Sequence, residues 1–291
     1  MDTELLRAFV AVAEGESFSS AGRALHRTQS TVSLQIQRLE ERLGQPLFQR
    51  TSRRVALTPA GWKLLPRARR MLRLEDQIAR ELGTSDSQER IRLGITEEQA
   101  LAYLPAVLPA LARDYPRVRI ELVCQLSTAL IQRFDEGLLD VVLNIWHGPS
   151  RSGEVIGREP LIWAGVEHFS REHHQPLALA LNPEGCIFRA HALNLLEQAG
   201  RDWQLRYTSQ SPTGINQPVQ SGLAITVKTP RSLPPGCVNV GPILDLPSLG
   251  VVDIEMHRAP AQLSEALDRL CELLRGAVCD HEGVDAVVGV N

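Results

Sequence analysis

Lysine is nearly absent from this chain. Of 31 basic residues in 291, only Lys63 and Lys228 are lysines, and arginine supplies the rest. Arginine suits bidentate contacts to phosphate and guanine, although a gene's base composition raises arginine as well, so the bias alone defines no binder. Aromatic residues are scarce at 4%, but a hydrophobic content of 43% is ample for packed cores. The five cysteines, Cys124, Cys186, Cys237, Cys271 and Cys279, are odd in number, scattered and without a CxxC pair. That excludes a disulfide framework or zinc ribbon and fits reduced thiols in a cytoplasm; a redox-sensing cysteine is the alternative. No run of about 18 apolar residues suggests a membrane span, and the N-terminus does not read as a secretory signal. GxSxG, Walker, GxGxxG and HExxH patterns are all missing. A two-lobed enzyme with a helical appendage would need a nucleophile or an acid–base pair, and none stands out, so no catalytic residue is expected. His168, His173 and His174 cluster, but without cysteine or carboxylate at ligand spacing they read as a surface loop. No metal and no cofactor is expected.

The N-terminal segment is the informative one. A helix over about Leu5–Glu14 presents Leu5, Leu6, Phe9, Val10 and Ala13. A second, about Ser19–Leu25, has Ser17 as N-cap and small residues Ala21 and Gly22 that permit a close crossing. Thr28 caps a third helix with a buried stripe of Val32, Ile36, Leu39 and Leu43, steps of four, three and four. Its opposite face carries Gln29, Ser30, Ser33 and Gln37, with Arg38 at one edge. Gln reads adenine bidentately, Ser bonds several base edges or a phosphate, and Arg favours guanine or phosphate. The bland reading is a helical hairpin with a solvated polar face, and the residues after the hairpin weaken it. Gly44 ends the helix. Pro46–Arg50 and Arg53–Leu57 then read as a two-stranded wing tipped by Thr51-Ser52-Arg53-Arg54, and arginine at such a tip suits a narrow minor groove or flanking phosphates.

These residues resemble the winged helix-turn-helix of the LysR-type transcriptional regulators. The resemblance is carried by Leu5, Phe9, Ser17-Phe18, Ala21, Leu25, Thr28-Gln29-Ser30, Val32-Ser33, Gln35-Ile36, Leu39-Glu40, Gly44, Leu47-Phe48, Arg50 and Leu57-Thr58-Pro59-Ala60-Gly61. Arg27 to Ser33 is similar to the branch that includes LrhA, HexA and PecT. Two residues depart from a generic helix-turn-helix. His26 stands where the turn often has glycine and reads as structural. Arg27 replaces a common apolar residue and should face the DNA backbone. The resemblance adds Thr31 and Arg50 to the expected DNA contacts.

Charge divides the chain in the same way. Residues 1–84 hold 14 Arg/Lys against nine Asp/Glu, and the remainder 17 against 25. A basic head suits a polyanion and an acidic body stays off it. Thr58-Pro59 opens a long helix reaching about Leu82, with Pro59 at the first helical position and Pro66 as an internal kink. Its apolar stripe includes Trp62, Leu65, Leu72 and Ile78, which the resemblance makes a subunit-pairing surface. Arg69 and Arg73 read as its solvated face.

Beyond residue 88 strands alternate with helices: strands at about 91–95, 118–124, 140–145, 177–181, 204–208, 223–227 and 251–256, and helices at about 104–115, 127–137, 191–200, 217–222 and 261–275. Such alternation implies doubly wound parallel sheets, and the tail after Cys279 reads as frayed. The expected fold is therefore α/β overall: a winged helix-turn-helix over 1–58, a linker helix and hinge over 59–87, and a two-lobed, periplasmic-binding-protein-like effector domain over 88–291. Its first lobe spans about 88–164 and 257–279, its second about 165–256. Ligands in open α/β sheets sit at the carboxyl ends of strands near helix N-termini. That rule selects Thr96, Glu97, Glu98, Ser127, Thr128, Trp146, His147, Ser209, Gln210 and Thr213, with Arg189 if it reaches the cleft. Glu97 and Glu98 would repel a carboxylate unless paired. The resemblance implies a cytoplasmic homodimer or homotetramer on an interrupted palindrome of double-stranded DNA. It also implies a small-molecule effector, contact with RNA polymerase and no membrane partner.

Overall fold

The structure is a computed structural model that describes residues 2–50, 55–82, 89–146, 153–169, 176–259 and 264–279, without the side chains of Arg50, Arg80 and Glu81. Two compact units are distinguished: residues 1–88 with 133–139 and 259–262, and the rest. The wing tip with Arg53 and Arg54, the hinge at 83–87, His147, His173, His174 and the tail after Cys279 lie outside the described residues.

In the first unit, side-chain caps set the helix starts. The Asp2 carboxylate accepts from the Glu4 N–H at α1 (Thr3–Gly15), the Ser17 hydroxyl from Ser20 at α2 (Phe18–Ala24), and the Thr28 hydroxyl from Thr31 at α3 (Gln29–Leu43). Each such cap contributes about 1 kcal/mol. Gly44 closes α3 at a φ of 66°. Leu6, Phe9, Val12, Val32, Ile36 and Leu39 are fully buried in one core, where each large side chain contributes about 1.5–3 kcal/mol. Leu43, expected in the buried stripe, is instead exposed; it is the last residue before the Gly44 cap, and the core ends a turn earlier. Phe48 begins β1 (Phe48–Arg50), and its ring lies 5.4 Å from Phe9 and 5.9 Å from Phe18. β1 pairs antiparallel with β2 (Val55–Leu57).

α4 (Pro59–Glu81) follows directly. The Thr58 hydroxyl accepts from the Gly61 N–H at 3.0 Å and donates to the Pro46 carbonyl at 2.7 Å, joining helix start to wing. Thr3 and Arg7 reach Glu75 and Asp76 at 2.6–2.9 Å and fasten α1 to α4. Two expectations for α4 are corrected. Leu65 is buried in the helix-turn-helix core rather than on a free stripe, and Leu72 packs against the same core. Arg69 and Arg73 are not a solvated face. Arg69 bonds Glu14 at 3.2 Å and the Glu136 carbonyl at 2.9 Å, and Arg73 bonds the Gly137 carbonyl. Carbonyls at a helix end lack intrahelical donors, and these guanidinium groups supply them. Arg67 turns back to the Lys63 carbonyl at 2.6 Å. Trp62, Met71, Leu74, Ile78 and Leu82 remain exposed.

The second unit holds two lobes. In the first, a five-stranded sheet has the order β4 (Arg119–Cys124), β3 (Arg90–Ile95), β5 (Val141–Trp146), β12 (Val251–Arg258) and β6 (Glu154–Pro160). β3, β4 and β5 are parallel, whereas β12 runs antiparallel to both of its neighbours. α5 (Glu97–Asp114) and α9 (Glu265–Cys279) pack on its core, and α6 (Ser127–Asp135) links β4 to β5. α5 starts seven residues before the expected Leu104. Thr96 caps it, with Glu97 and Glu98 in the first turn, where acidic side chains favour the helix dipole.

In the second lobe β7 (Ile162–Gly165) pairs antiparallel with β10 (Thr226–Lys228) and β11 (Val238–Asn239), and β8 (Leu177–Leu181) pairs parallel with β9 (Trp203–Thr208). A parallel bridge from Leu179 to Ile225 joins the two sets. α7 (Ile187–Gln198) and α8 (Pro212–Gln220) flank a core around Trp163, Leu179 and Ile225. The whole of β12 belongs to the first lobe's sheet, so the crossover falls near Val251 and Leu161 rather than at the expected 257 and 165. The boundary differs because the crossing strands β6 and β7 were not foreseen.

Candidate functional site

Two places combine exposed polar groups with firm support. The first is the outer face of α3. Gln29, Ser30, Gln37 and Arg38 are exposed, with Thr31 and Ser33 half-exposed beside them. Behind them lies the fully buried row of Val32, Ile36 and Leu39, so the polar face cannot turn inward without unpacking the core. The preceding turn is tight. A Cβ on Gly22 would lie 2.8 Å from the Arg27 carbonyl oxygen, and His26 adopts a left-handed φ of 53°. That explains why glycine is frequent in this turn and assigns His26 its structural role. Thr28 is fully occupied, meeting Ser30 at 2.9 Å and Thr31 at 2.8 Å while capping the helix. Gln37 donates to Glu41 at 2.9 Å, and Arg27 stands 3.8 Å from Glu4 on the surface. Among the described residues, the side chains of Gln29, Ser33 and Arg38 have no hydrogen-bond or ion-pair partner. The positive end of the α3 dipole adds a site suited to phosphate.

The second place is a cavity of about 450 Å³ in the second unit. It opens at the carboxyl ends of β3, β4, β5, β8 and β9, where α5, α6, α7 and α8 begin. Six expected residues line it: Thr96, Glu97, Glu98, Ser127, Thr128 and Gln210. Trp146, Arg189, Ser209 and Thr213 do not. Arg189 is turned onto the Asn182 carbonyl at 3.3 Å, and Ser209 caps the Ser211 N–H at 3.1 Å. Asn182, Glu184, Cys186, Phe188 and Ser211 also line it and were not foreseen. The signal that could have found them is the Pro183-Glu184-Gly185 turn between an apolar strand and the next apolar run, which marks a helix start.

Charge in the cavity wall is partly neutralised. Glu98 forms an ion pair with Lys228, whose side chain is only 2% exposed. Further along α5, Tyr103 donates to Glu159 at 2.7 Å, and Arg231 reaches Glu159 and the Tyr103 hydroxyl, each at 3.1 Å. Burial and the Glu159 charge push the Tyr103 hydroxyl well above its usual range. These two buried clusters fasten α5 of the first lobe to 228–231 of the second. Thr128 donates to the Gly185 carbonyl at 3.0 Å across the cavity mouth. Burial raises the Cys124 and Cys186 thiols; nearby Glu97 adds to the rise at Cys124, and the Phe188 and Arg189 N–H groups partly oppose it at Cys186. Among the described residues, no group of three or more His, Cys, Asp and Glu side chains could hold a metal ion. None of the helices there is long and apolar enough to cross a membrane.

A helix-turn-helix with a wing, followed by a two-lobed α/β body with a cavity at its strand ends, is the architecture of a class of transcriptional regulators. Two family models match: the bacterial regulatory helix-turn-helix protein of the lysR family over residues 3–62, and the LysR substrate binding domain over residues 84–278. The chain belongs to the LysR family. It is 34% identical over 269 residues to the regulator DgdR of Burkholderia cepacia, covering 91% of this chain and 92% of that one. It is 28% identical over 281 residues to PecT of Dickeya dadantii, covering 97% and 89%. A crystal structure of full-length CbnR complexed with target DNA has the same fold at a TM-score of 0.58 and 20% identity, covering 95% of this chain and 100% of that one. This chain is thus a LysR-type DNA-binding transcriptional regulator with an effector-binding domain.

Proposed function

We propose that the exposed face of α3 reads base edges in the major groove and that a small molecule in the cavity controls the outcome. Gln29, Ser30 and Ser33 face the bases; Thr31, Gln37 and Arg38 hold the groove edge; Arg27 and Arg50, with Arg53 and Arg54 of the wing, contact the backbone or minor groove. One observation carries this reading. Gln29, Ser33 and Arg38 project from a helix whose opposite row is fully buried, and none of the three has a hydrogen bond or ion pair from its side chain among the described residues. The DNA-bound state of the CbnR structure supports it by fold. Trp62, Met71, Leu74 and Ile78 of α4 are the surface through which two copies pair, and a two-fold dimer requires a two-fold operator. The chain acts in the cytoplasm, catalyses no reaction and meets RNA polymerase at the promoter. The domains run 1–58, 59–87 and 88–291. A ligand that prefers one arrangement of the lobes shifts the equilibrium between them. The raised cavity thiols favour this effector reading over redox control, because the thiolate is the reactive form.

Selection from a random duplex library with the full chain tests the proposal. An enriched inverted repeat with fixed half-site spacing is expected. Enrichment of no sequence over the starting pool would refute base reading.

A further inference from the structure

Resting on the reading of α3 as a base-reading helix, we infer that Leu34 is a specificity-determining residue that reads the C5 methyl group of a thymine in the major groove. The first support is its place on the helix. Val32 and Ile36 stand two residues to either side, which at about 100° per residue is about 200° round the helix, and both are fully buried. Leu34 therefore points directly away from the core, and it is 47% exposed. Its neighbours one turn away are Ser30, Gln37 and Arg38, and Arg27 and Glu41 stand a turn beyond; all five are exposed. Glu41, toward the C-terminal end, is held by Gln37 at 2.9 Å. One apolar side chain thus occupies the centre of a polar face.

The second support is the chemistry of what can cover it. A single exposed leucine is common on a protein surface, but the surroundings of this one select its partner. A second protein seated on Leu34 would also cover Ser30, Gln37 and Arg38. The Arg38 side chain has no ion-pair partner among the described residues, and an unpaired charge taken out of water carries a large penalty. DNA meets the whole patch: phosphates take the arginines at the groove edge, and base edges take the serine and the glutamine. Leucine offers no hydrogen bond, so the donors and acceptors of the groove cannot hold it. Among the four bases only thymine presents an apolar group in the major groove, its C5 methyl. When that methyl meets Leu34, water leaves two apolar surfaces and no polar group is stranded.

The experiment uses the full chain, the operator it selects from a random duplex library, and fluorescence anisotropy at one fixed salt concentration. Each thymine of one half-site is replaced in turn by deoxyuridine, which keeps every hydrogen-bonding group and removes only the methyl. At one position the replacement should raise the wild-type Kd about three- to fivefold, the effect of one buried methyl group. Leu34→Ala, shorter by three carbons, should bind the unsubstituted operator more weakly by at least that factor and be indifferent to deoxyuridine at that position. Alanine is the strongest helix former and the site is exposed, so the variant's melting temperature and its size by light scattering should match the wild type. Three results overturn the inference: a selected half-site without thymine, wild-type binding insensitive to every replacement, or a Leu34→Ala variant that loses affinity on replacement as the wild type does. A changed oligomeric state in Leu34→Ala would assign the residue to a protein contact and overturn it likewise. If Gln29→Ala weakens operator binding while no methyl matters, base reading stands and only the role of Leu34 falls. Selection of no sequence at all removes both.

Discussion

The Glu98–Lys228 pair yields the sharpest stability prediction, because its two ends differ in environment. The Lys228 side chain is 2% exposed, and Glu98 is 22% exposed on the cavity wall. Removing one partner of a buried pair costs about 3–5 kcal/mol, since the other charge is left without compensation. Glu98→Gln strands a fully buried ammonium and should approach that cost. Lys228→Met strands a carboxylate that water in the cavity reaches, so its cost should be smaller, about 1–2 kcal/mol. The double variant removes both charges and should recover most of the loss. Urea unfolding of the full chain followed by tryptophan fluorescence suits the test, because Trp146, Trp163 and Trp203 all lie in the second unit. With a slope of about 2–3 kcal/mol per molar, the midpoint of Glu98→Gln should fall by about 1–2 M. Equal losses for the two single variants, or a double variant as unstable as Glu98→Gln, would refute the asymmetry.

The same geometry gives three more expected outcomes. Ile78→Glu should yield a folded monomer with weakened operator binding, whereas Leu65→Glu, in the buried core, should unfold the first unit; light scattering and circular dichroism separate the two. Arg275 holds the Glu154 carboxyl below the usual carboxylate range, so this pair stabilises the protein above about pH 4.5 and its contribution is lost on acidification. The fall in urea midpoint from pH 5 to 3 should therefore be shallower in Arg275→Gln, and an identical fall in both proteins would refute the coupling. Burial pushes the Cys271 thiol up to about 11, so at pH 8 a thiol reagent should label the exposed Cys124 and Cys279 first and reach Cys271 only on unfolding; prompt labelling of Cys271 in the native protein would show that its site opens.

The DNA-reading half was legible in the sequence because local signals agree there. A threonine cap, an apolar row at helical spacing and a closing glycine together define α3, and the buried row decides which face is left outside. Leu43 escaped because periodicity cannot say where the partner helices end. In the second unit, Pro105 and Pro109 disguised the start of α5. Both prolines are exposed, where water can satisfy the carbonyls that lose their donors. The strand-end rule recovered the cavity's hydroxyls and the Glu97–Glu98 pair. It missed Asn182, Glu184 and Cys186 because α7 was expected at His191, four residues late. Arg69, Arg73 and Lys228 were illegible for another reason. Their partners lie at least 55 residues away in sequence, and no local pattern announces a long-range ion pair or carbonyl contact.

The central claim is that α3 reads DNA sequence, and fluorescence anisotropy tests it most directly. The full chain is titrated onto its selected operator and onto a scrambled duplex of equal length at one fixed salt concentration. For Gln29→Ala the operator Kd should rise about five- to 150-fold, corresponding to about 1–3 kcal/mol, while the scrambled duplex changes by less than about threefold. Equal weakening on both duplexes, or none on either, would contradict it.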